Sequence, residues 1–306
     1  MLKSLALSVW SLQQLSFRDG KGLEDILDVV VRLGISEVEL NEDYVRLPSY
    51  HGLTGLRRLR SAIESRGLKL LSTWFYTDFL GAVRISSVSE LADQLKEYLA
   101  TASELGAEQL TVPLGDGYAG LDIAQGRRTL LETLRAVLPF AEDLGVRVGI
   151  ETGRAEGTFH TPSAVLALVK TLGSNYVRVV PDFEAWRRAT PDLPITHVEA
   201  QVATAEPADL AIFEKCLPYA PIVHAKLLRL DEAGDEPHFP IEQLMAAIIK
   251  SPSPHTLEIE YEGWIPDIDP DRDCVEQTAR CIALLRHHAA QGERQTRNGA
   301  AKVSNR

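Results

Sequence analysis

Five segments of the chain repeat one pattern, in which a run with helical spacing ends at Leu-Gly or Arg-Gly and a short apolar run follows. The glycines of this pattern are Gly34, Gly67, Gly106, Gly145 and Gly173. Glycine ends a helix readily because it adopts the left-handed conformation without a steric clash. The apolar runs are rich in β-branched residues, which is typical of parallel strands buried on both faces. The pattern therefore predicts a repeated helix–strand unit.

Three further strand-like segments, residues 4–10, 221–228 and 256–261, extend the repeat to eight strands. The predicted strands start near residues 4, 36, 68, 108, 146, 177, 221 and 256. A spacing of roughly thirty residues or more suits one βα unit per strand. Eight such units in 306 residues predict a single closed (β/α)8 barrel, the TIM barrel architecture. An open doubly wound sheet is disfavoured because no G-x-G-x-x-G follows the first strand.

The barrel is predicted to occupy residues 1–290, with its last helix at about residues 271–290. The segment 291–306 is polar and has no hydrophobic periodicity, so we expect a disordered tail there. The apolar run at the N-terminus alternates as a strand does, which favours a first barrel strand over a signal peptide.

The overall charge and the cysteines limit the partners and the location of the chain. A formal net charge of −11 argues against nucleic acid as a partner, because such binding uses clustered Lys and Arg. No apolar stretch is long enough to span a membrane. The three cysteines, Cys216, Cys274 and Cys281, contain no C-x-x-C pair, which indicates a reducing compartment. We therefore expect a cytoplasmic protein that binds neither nucleic acid nor a membrane.

Polar residues stand at the ends of four successive predicted strands. They are Glu151, Asp182, His224 and Glu260, on strands five to eight. Such barrels carry their active sites at the C-terminal ends of the strands. A single strand-end carboxylate more often caps a neighbouring helix, but four potential ligands on adjacent strands indicate a site. Three carboxylates and one imidazole suit Mn²⁺ or Mg²⁺ and also Co²⁺, whereas structural zinc favours cysteines or several histidines.

Strand eight also carries a row of three carboxylates. Glu258, Glu260 and Glu262 alternate with apolar residues and therefore share one face of the strand. Like charges on a buried face are costly unless positive charge lies opposite. We expect Glu260 to ligate a cation, Glu258 to lie deeper and Glu262 to lie at the rim. Lys226 on the adjacent strand would offset the remaining charge.

Short motifs in fixed order give the chain a family resemblance over residues 4–290. The motifs are GISEVEL, VGIETG, VVPDF, IVHAK and LEIEYEG. Together they resemble the sugar phosphate isomerase/epimerase superfamily, the xylose-isomerase-like TIM barrels. The resemblance implies that Glu151, Asp182, His224 and Glu260 bind one divalent metal ion, with Mn²⁺ favoured.

The resemblance also implies an activity. A metal-dependent isomerase or epimerase would act on a sugar, keto-sugar or cyclitol by removing a proton next to a carbonyl, through a metal-stabilised enediolate. Glu151 and Glu260 would remove and return the proton. The expected partners are the sugar and either further copies of the chain or a small second subunit.

Two departures from the family pattern keep a second activity open. Many members read D-x-G-H after strand six, whereas this chain reads DFEAW, with Ala185 at the position of the histidine. After strand five, ETG replaces the common Glu-Asn-His. The alternative is a metal-dependent lyase on the same scaffold, such as a C-glycoside deglycosidase catalytic subunit that eliminates a group from a 3-keto-glycoside. A nuclease of related fold is disfavoured, because it needs more histidines at strand ends and a basic surface.

Further residues are candidates for substrate binding. They are Lys226, Trp10, Glu39, Arg154 and His238. Trp10 could stack on a sugar or pack in the core, and Glu39 could accept a sugar hydroxyl or form a salt bridge. Arg154 could meet an anionic group or remain solvated, and His238 could face the site or the surface.

A long segment, residues 183–206, follows strand six and predicts a lid or a partner surface. Arg187 and Arg188 within it are candidate phosphate contacts.

Overall fold

The structure is a computed structural model that describes residues 2–77, 87–114, 122–153, 159–188, 207–264 and 270–304. Eight parallel strands form one sheet with the helices between them in sequence. The strands are β1 (Leu2–Ser8), β2 (Glu37–Asn41), β3 (Lys69–Trp74), β4 (Gln109–Val112), β5 (Arg147–Glu151), β6 (Val177–Val180), β7 (Ile222–Leu227) and β8 (His255–Tyr261). The eight strands predicted from the sequence are confirmed.

The sheet closes on itself to form a barrel. The strand order is β6-β5-β4-β3-β2-β1-β8-β7, and β1 pairs with both β2 and β8. Between β6 and β7 a parallel bridge joins Asp182 to His224, and the backbone N–H of His224 donates to the carbonyl of Pro181 at 3.0 Å. The nearly closed (β/α)8 barrel that the repeat predicts is therefore present.

The helices surround the strands. The α-helices are α1 (Gln13–Phe17), α2 (Leu23–Arg32), α3 (Glu42–Val45), α4 (Gly52–Glu64), α5 (Val88–Leu105), α6 (Ile123–Leu144), α7 (Pro162–Leu172), α8 (Leu210–Cys216), α9 (Ile241–Lys250) and α10 (Cys274–Ser304). Short 3-10 helices cover Val9–Leu12, Pro48–Tyr50, Phe183–Trp186 and Leu217–Tyr219. No helix within the described ranges is both long and apolar enough to cross a membrane.

Helix α5 shows how local sequence sets these elements. Ser87 and Glu90 form a capping box, in which the Ser87 hydroxyl accepts from the Glu90 N–H and the Glu90 carboxylate accepts from the Ser87 N–H. Leu91, Leu95 and Leu99 recur at helical spacing and are buried against the barrel. The helix ends at Gly106 with φ of 81°, in the left-handed region that the sequence pattern requires.

Two boundaries differ from those expected. Strand β1 ends at Ser8, so Trp10 lies in the 3-10 helix that follows and not in the strand. Helix α10 continues to Ser304 and does not stop near residue 290. Its polar continuation contains several good helix formers, among them Gln, Arg, Ala and Lys, so the helix can extend without an apolar face. The division of the chain into a barrel and a separate tail, residues 291–306, stays a prediction.

Apolar side chains fill the layer between strands and helices, while the barrel interior is largely polar. One large cluster of buried residues occupies that outer layer. Inside the barrel, Ala6, Leu71 and Ile222 form a small separate cluster. The register of β2 and β3 shifts between Val38 and Glu39, so that Glu39 lies opposite Ser72. The three cysteines are buried free thiols.

Charged residues from neighbouring strands meet at the N-terminal end of the barrel. They are Glu37, Lys69, Glu108 and Arg147, here called the lower-end ring. Lys69 lies 3.7 Å from Glu37 and also pairs with Glu108, and Arg147 lies 2.8 Å from Glu108. Carboxylates and cations alternate around this end of the barrel.

Candidate metal centre

Four side chains converge near the C-terminal ends of β5 to β8. They are Glu151, Asp182, His224 and Glu260, here called the ligand cluster. Each offers one oxygen or nitrogen atom, and these four atoms all lie within 4.8 Å of one another. Asp182 and His224 are 2% and 1% exposed, so little of the cluster reaches solvent. The structure thus brings together the four ligands predicted from the sequence, while their binding of a metal stays a prediction.

Local backbone structure places Asp182 in the cluster. Its N–H donates to the hydroxyl of Thr152 at 3.0 Å, across from the end of β5. Its carboxylate accepts from the N–H of Glu184 at 2.8 Å and so caps the 3-10 helix Phe183–Trp186. Thr152, the second residue of the ETG motif, therefore supports the end of β6.

Two neighbours orient the carboxylate of Glu151. Its Oε1 lies 2.8 Å from Nδ1 of His224, and its Oε2 accepts the indole N–H of Trp74 at 2.9 Å. Trp74 ends β3, and its role at this site was missed in the sequence. Its position at the end of a barrel strand indicated that Trp74 could lie near the site, but nothing in the sequence indicated that its N–H would reach β5.

Lys226 lies among the carboxylates at this end of the barrel. Its Nζ lies 3.2 Å from Asp182, 3.7 Å from Glu260 and 3.2 Å from Glu262. The predicted role of Lys226 in offsetting charge is consistent with these distances, and Glu262 is the most exposed of the three carboxylates.

The carboxyl groups of the cluster differ in acidity. Burial raises the pKa of Glu151, but the hydrogen bond and charge of His224, together with the charge of Lys226, outweigh burial and bring that pKa to about 2. Burial raises the pKa of Asp182 to about 6, against the charge of Lys226. Burial also raises the pKa of Glu260 well above its ordinary value. Among the described residues, the site holds more negative charge than Lys226 and His224 balance.

The residues present fit a divalent cation. Oε2 of Glu260 is buried and has no hydrogen-bond partner within the described ranges. A buried acceptor without a partner is costly, and coordination to a cation would satisfy it. Three carboxylates and one imidazole are a hard, oxygen-rich ligand set of the kind that Mn²⁺ and Mg²⁺ take.

The chain matches the family described as "Xylose isomerase-like TIM barrel" over residues 27–280. The chain belongs to this family. Membership confirms the resemblance inferred from the five motifs, and it agrees with the strand order and closure of the barrel.

Two curated relatives share short segments with this family member. The C-glycoside deglycosidase alpha subunit of Arthrobacter globiformis is 31% identical over 80 residues, which are 26% of this chain and 22% of the relative. The alpha subunit of the same name from Microbacterium trichothecenolyticum is 29% identical over 123 residues, 38% of this chain and 33% of the relative. The matched segments thus span a third or less of each relative.

A solved structure described as that of L-ribulose 3-epimerase superposes on the whole barrel. The TM-score is 0.73 at 15% identity, and the match covers 97% of both chains. At this identity the likeness shows the shared fold.

A second group of carboxyl residues lies deeper in the barrel. Glu39 and Glu258, here called the deep carboxyl pair, are both fully buried. The hydroxyl oxygen of Ser72 lies 2.8 Å from Glu39 and 3.0 Å from Glu258. Nε2 of His224 lies 3.6 Å from a carboxylate oxygen of each. The deeper position expected for Glu258 is confirmed, but sequence reasoning missed Ser72, which the register shift in β3 brings to this level.

The other predicted substrate-binding residues have different surroundings. Glu39 contacts Ser72 and His224, and the ring of Trp10 packs edge-on against Phe17 at 5.8 Å. Their contact with substrate stays a prediction. Arg154 lies outside the described residues.

His238 is buried, so the surface interpretation is wrong. Its Nδ1 lies 2.5 Å from Glu236, whose carboxylate also accepts the backbone N–H groups of Leu228 and Arg229. Glu236 therefore organises the segment after β7, and His238 is part of that arrangement. Its contact with substrate stays a prediction.

The two arginines after β6 have different surroundings, and phosphate contact by Arg188 stays a prediction. The side chain of Arg187 is 2% exposed, and its guanidinium lies 3.3 Å from Glu184, so it is not a free phosphate ligand. Arg188 is exposed. Burial raises the pKa of Glu184 to about 7, and this carboxyl beside the cluster was missed in the sequence. Most of the segment 183–206 lies outside the described residues.

Proposed function

We propose that this chain is a divalent-metal-dependent isomerase or epimerase that acts on a sugar, keto-sugar or cyclitol by removing a proton next to a carbonyl. The observation that carries the proposal is the ligand cluster, because its four ligand atoms lie within 4.8 Å of one another, close enough to share one point, and two of them belong to glutamates on different strands. The favoured ion is Mn²⁺, with Mg²⁺ or Co²⁺ as alternatives. A cation at that point would polarise the substrate carbonyl and so acidify the neighbouring C–H bond.

Glu151 and Glu260 supply the acid–base pair in this proposal. The low pKa of Glu151 keeps it ionised and suits a proton acceptor, and Glu260 would act on the proton from a different strand, β8. Lys226 would steady the ionised carboxylates beside it and can donate to a substrate oxygen.

The second candidate function is a lyase on the same scaffold. It is favoured by the segments shared with two C-glycoside deglycosidase alpha subunits and by Ala185 at the position where many family members carry a histidine. The first step would be the same proton removal. A group β to the resulting carbanion would then leave with its bonding electrons, as in elimination from a 3-keto-glycoside. A small second subunit is consistent with the lyase, and a homo-oligomer is consistent with either function. We propose a cytoplasmic location in both cases.

The experiment that tests the proposal measures the exchange of substrate hydrogen for solvent deuterium. Protein loaded with Mn²⁺ is incubated in D₂O with a panel of free ketoses, cyclitol ketones and 3-keto-glycosides, and exchange at each carbon is followed by NMR. Deuterium at one carbon next to the carbonyl, with a stereoisomer or positional isomer formed, is expected for an isomerase or epimerase. Release of the aglycone with exchange at the same carbon indicates the lyase.

Two controls make the result specific. Asp182→Asn should abolish exchange by weakening cation binding. Glu37→Gln changes an inward-facing carboxylate at the other end of the barrel and should leave exchange intact. Absence of exchange with every substrate at full cation occupancy would contradict both candidate functions.

A further inference from the structure

His224 presents its two ring nitrogens to two different groups of carboxylates. Nδ1 lies 2.8 Å from Glu151 and faces the ligand cluster. Nε2 lies 3.6 Å from Glu258 and 3.6 Å from Glu39 and faces the deep carboxyl pair. The imidazole thus separates the candidate cation position from a second, fully enclosed level of the barrel.

Two unpartnered atoms face each other across this boundary. Within the described ranges, Nε2 of His224 and Oε1 of Glu258 are both buried and both lack a hydrogen-bond partner. They are also the two atoms of the 3.6 Å contact between these residues. Strand pairing fixes them at one level, because His224 and Glu258 are direct register partners on β7 and β8. A small rotation of the ring would bring the contact into the normal range of ~2.7–3.2 Å.

Ser72 holds the deep carboxyl pair in place below the ring. Its hydroxyl oxygen contacts Oε2 of both glutamates, which leaves Oε1 of Glu258 directed at His224. A lone pair on Nε2 would be repelled by this oxygen, whereas an N–H on Nε2 would satisfy both atoms. Nδ1, 2.8 Å from Oε1 of Glu151, also faces a carboxylate oxygen, so the imidazole holds hydrogen on both nitrogens. A cation at Nδ1 would displace the hydrogen there and leave the one on Nε2, which Oε1 of Glu258 is placed to accept.

We propose that Glu258 is a positioning residue that fixes the Nε2–H tautomer and the orientation of His224, so that Nδ1 is the nitrogen presented to the cation. The inference rests on the proposed function, since it assumes that the ligand cluster binds a metal. Histidine ligands commonly donate their second ring N–H to a carboxylate, and loss of such a partner typically weakens metal binding by about 10–100-fold. The proposal also accounts for the three carboxylates on one face of β8. Glu258 would orient the ligand His224, Glu260 would itself be a ligand, and Glu262 pairs with Lys226.

The test compares Glu258→Leu with Glu258→Gln and with the control Glu37→Gln. Mn²⁺ dissociation constants are measured by calorimetry, and the imidazole of His224 is observed by nitrogen-15 NMR in the Zn²⁺-loaded protein. We expect Glu258→Leu to weaken Mn²⁺ binding by about 10–100-fold and to lose the slowly exchanging Nε2–H signal. Glu258→Gln keeps an oxygen acceptor and should lose less affinity, and Glu37→Gln should match the unmodified chain.

Several results would overturn the proposal. Unchanged Mn²⁺ affinity and an unchanged Nε2–H signal in Glu258→Leu would show that Glu258 does not act on His224. Two Mn²⁺ ions per unmodified chain and one in Glu258→Leu would show that the deep carboxyl pair is itself a cation site. If Glu258→Leu does not fold, Ser72→Ala decides, because it removes the group that holds Glu258 in place, and normal Mn²⁺ affinity with an unchanged Nε2–H signal in that variant contradicts the proposal. Failure of the unmodified chain to bind any divalent cation would instead overturn the proposed function, before the variants are compared.

Discussion

At the N-terminal end of the barrel, the carboxylates of the lower-end ring lie beside lysine or arginine, whereas at the C-terminal end carboxylates outnumber cations. Glu108 has both Lys69 and Arg147 as partners. At the other end, Lys226 is shared by three carboxylates, and His224 lies between Glu151 and the deep carboxyl pair. The lower end is electrostatically complete within the protein. Among the residues that the structure describes, the upper end would reach the same balance with added positive charge, and this imbalance supports a cation there.

The largest expected difference between the ends is in catalysis. At saturating Mn²⁺, Glu151→Gln or Glu260→Gln should lower turnover by roughly 10²–10⁴-fold, because glutamine keeps an oxygen but cannot accept the proton. Steady-state kinetics with the substrate identified by deuterium exchange provide the measurement. In an epimerase, one variant can still exchange the substrate proton without completing inversion. In a lyase, the replacement of the glutamate that is not the base should be milder. Near-normal turnover of both variants at full occupancy would assign the base to Lys226 or to another residue.

The next effect is stabilisation by the cation. At a free Mn²⁺ concentration of 100 times the dissociation constant, the free energy of unfolding should rise by about 2.7 kcal/mol, provided that the unfolded chain does not bind the ion. Denaturant titration with and without Mn²⁺ measures the difference. Asp182→Asn and His224→Ala should lose most of this gain, while Glu108→Gln should retain it. An equal gain in all three variants would place the cation outside the ligand cluster.

The fold and the ligand set could be predicted because both depend on local signals. The helix-ending glycines and β-branched runs mark each βα unit, and the parallel topology then brings the ends of β5 to β8 together. Contacts that depend on the register between strands could not be predicted from such local signals. The shift in β3 places Ser72 opposite Glu39, and the indole of Trp74 on β3 reaches past β4 to Glu151 on β5. The burial of Arg187 likewise depends on tertiary packing that a polar loop sequence does not reveal.

The third prediction is that Mn²⁺ affinity falls as the pH is lowered from 7 to 5. Burial raises the pKa of Asp182 to about 6 and that of Glu260 well above its ordinary value, so below these pKa values a proton must leave before the cation binds. For each proton displaced, the affinity should fall by about tenfold per pH unit. Calorimetry in buffers of different ionisation enthalpy counts the protons released. A pH-independent affinity, with no proton release, would show that the cluster is already fully ionised.

The smallest expected effect belongs to the lower-end ring and completes the comparison. Glu108→Gln removes a partner from both Lys69 and Arg147, and these groups are partly solvent-exposed. The free energy of unfolding at pH 7 should therefore fall by only about 0.2–1 kcal/mol.

Burial raises the pKa of Glu108, but the hydrogen bond and charge of Lys69, together with Arg147, outweigh it, so that the pKa is lower than in the unfolded chain. A lowered pKa stabilises the fold above the unfolded value and loses that contribution as the pH falls through the folded value. The difference between Glu108→Gln and the unmodified chain should accordingly be largest near pH 7 and vanish in acid, as measured by denaturant titration at each pH. If the same variant instead changed Mn²⁺ affinity or turnover, the two ends of the barrel would be coupled, and the assignment of stability to one end and chemistry to the other would be wrong.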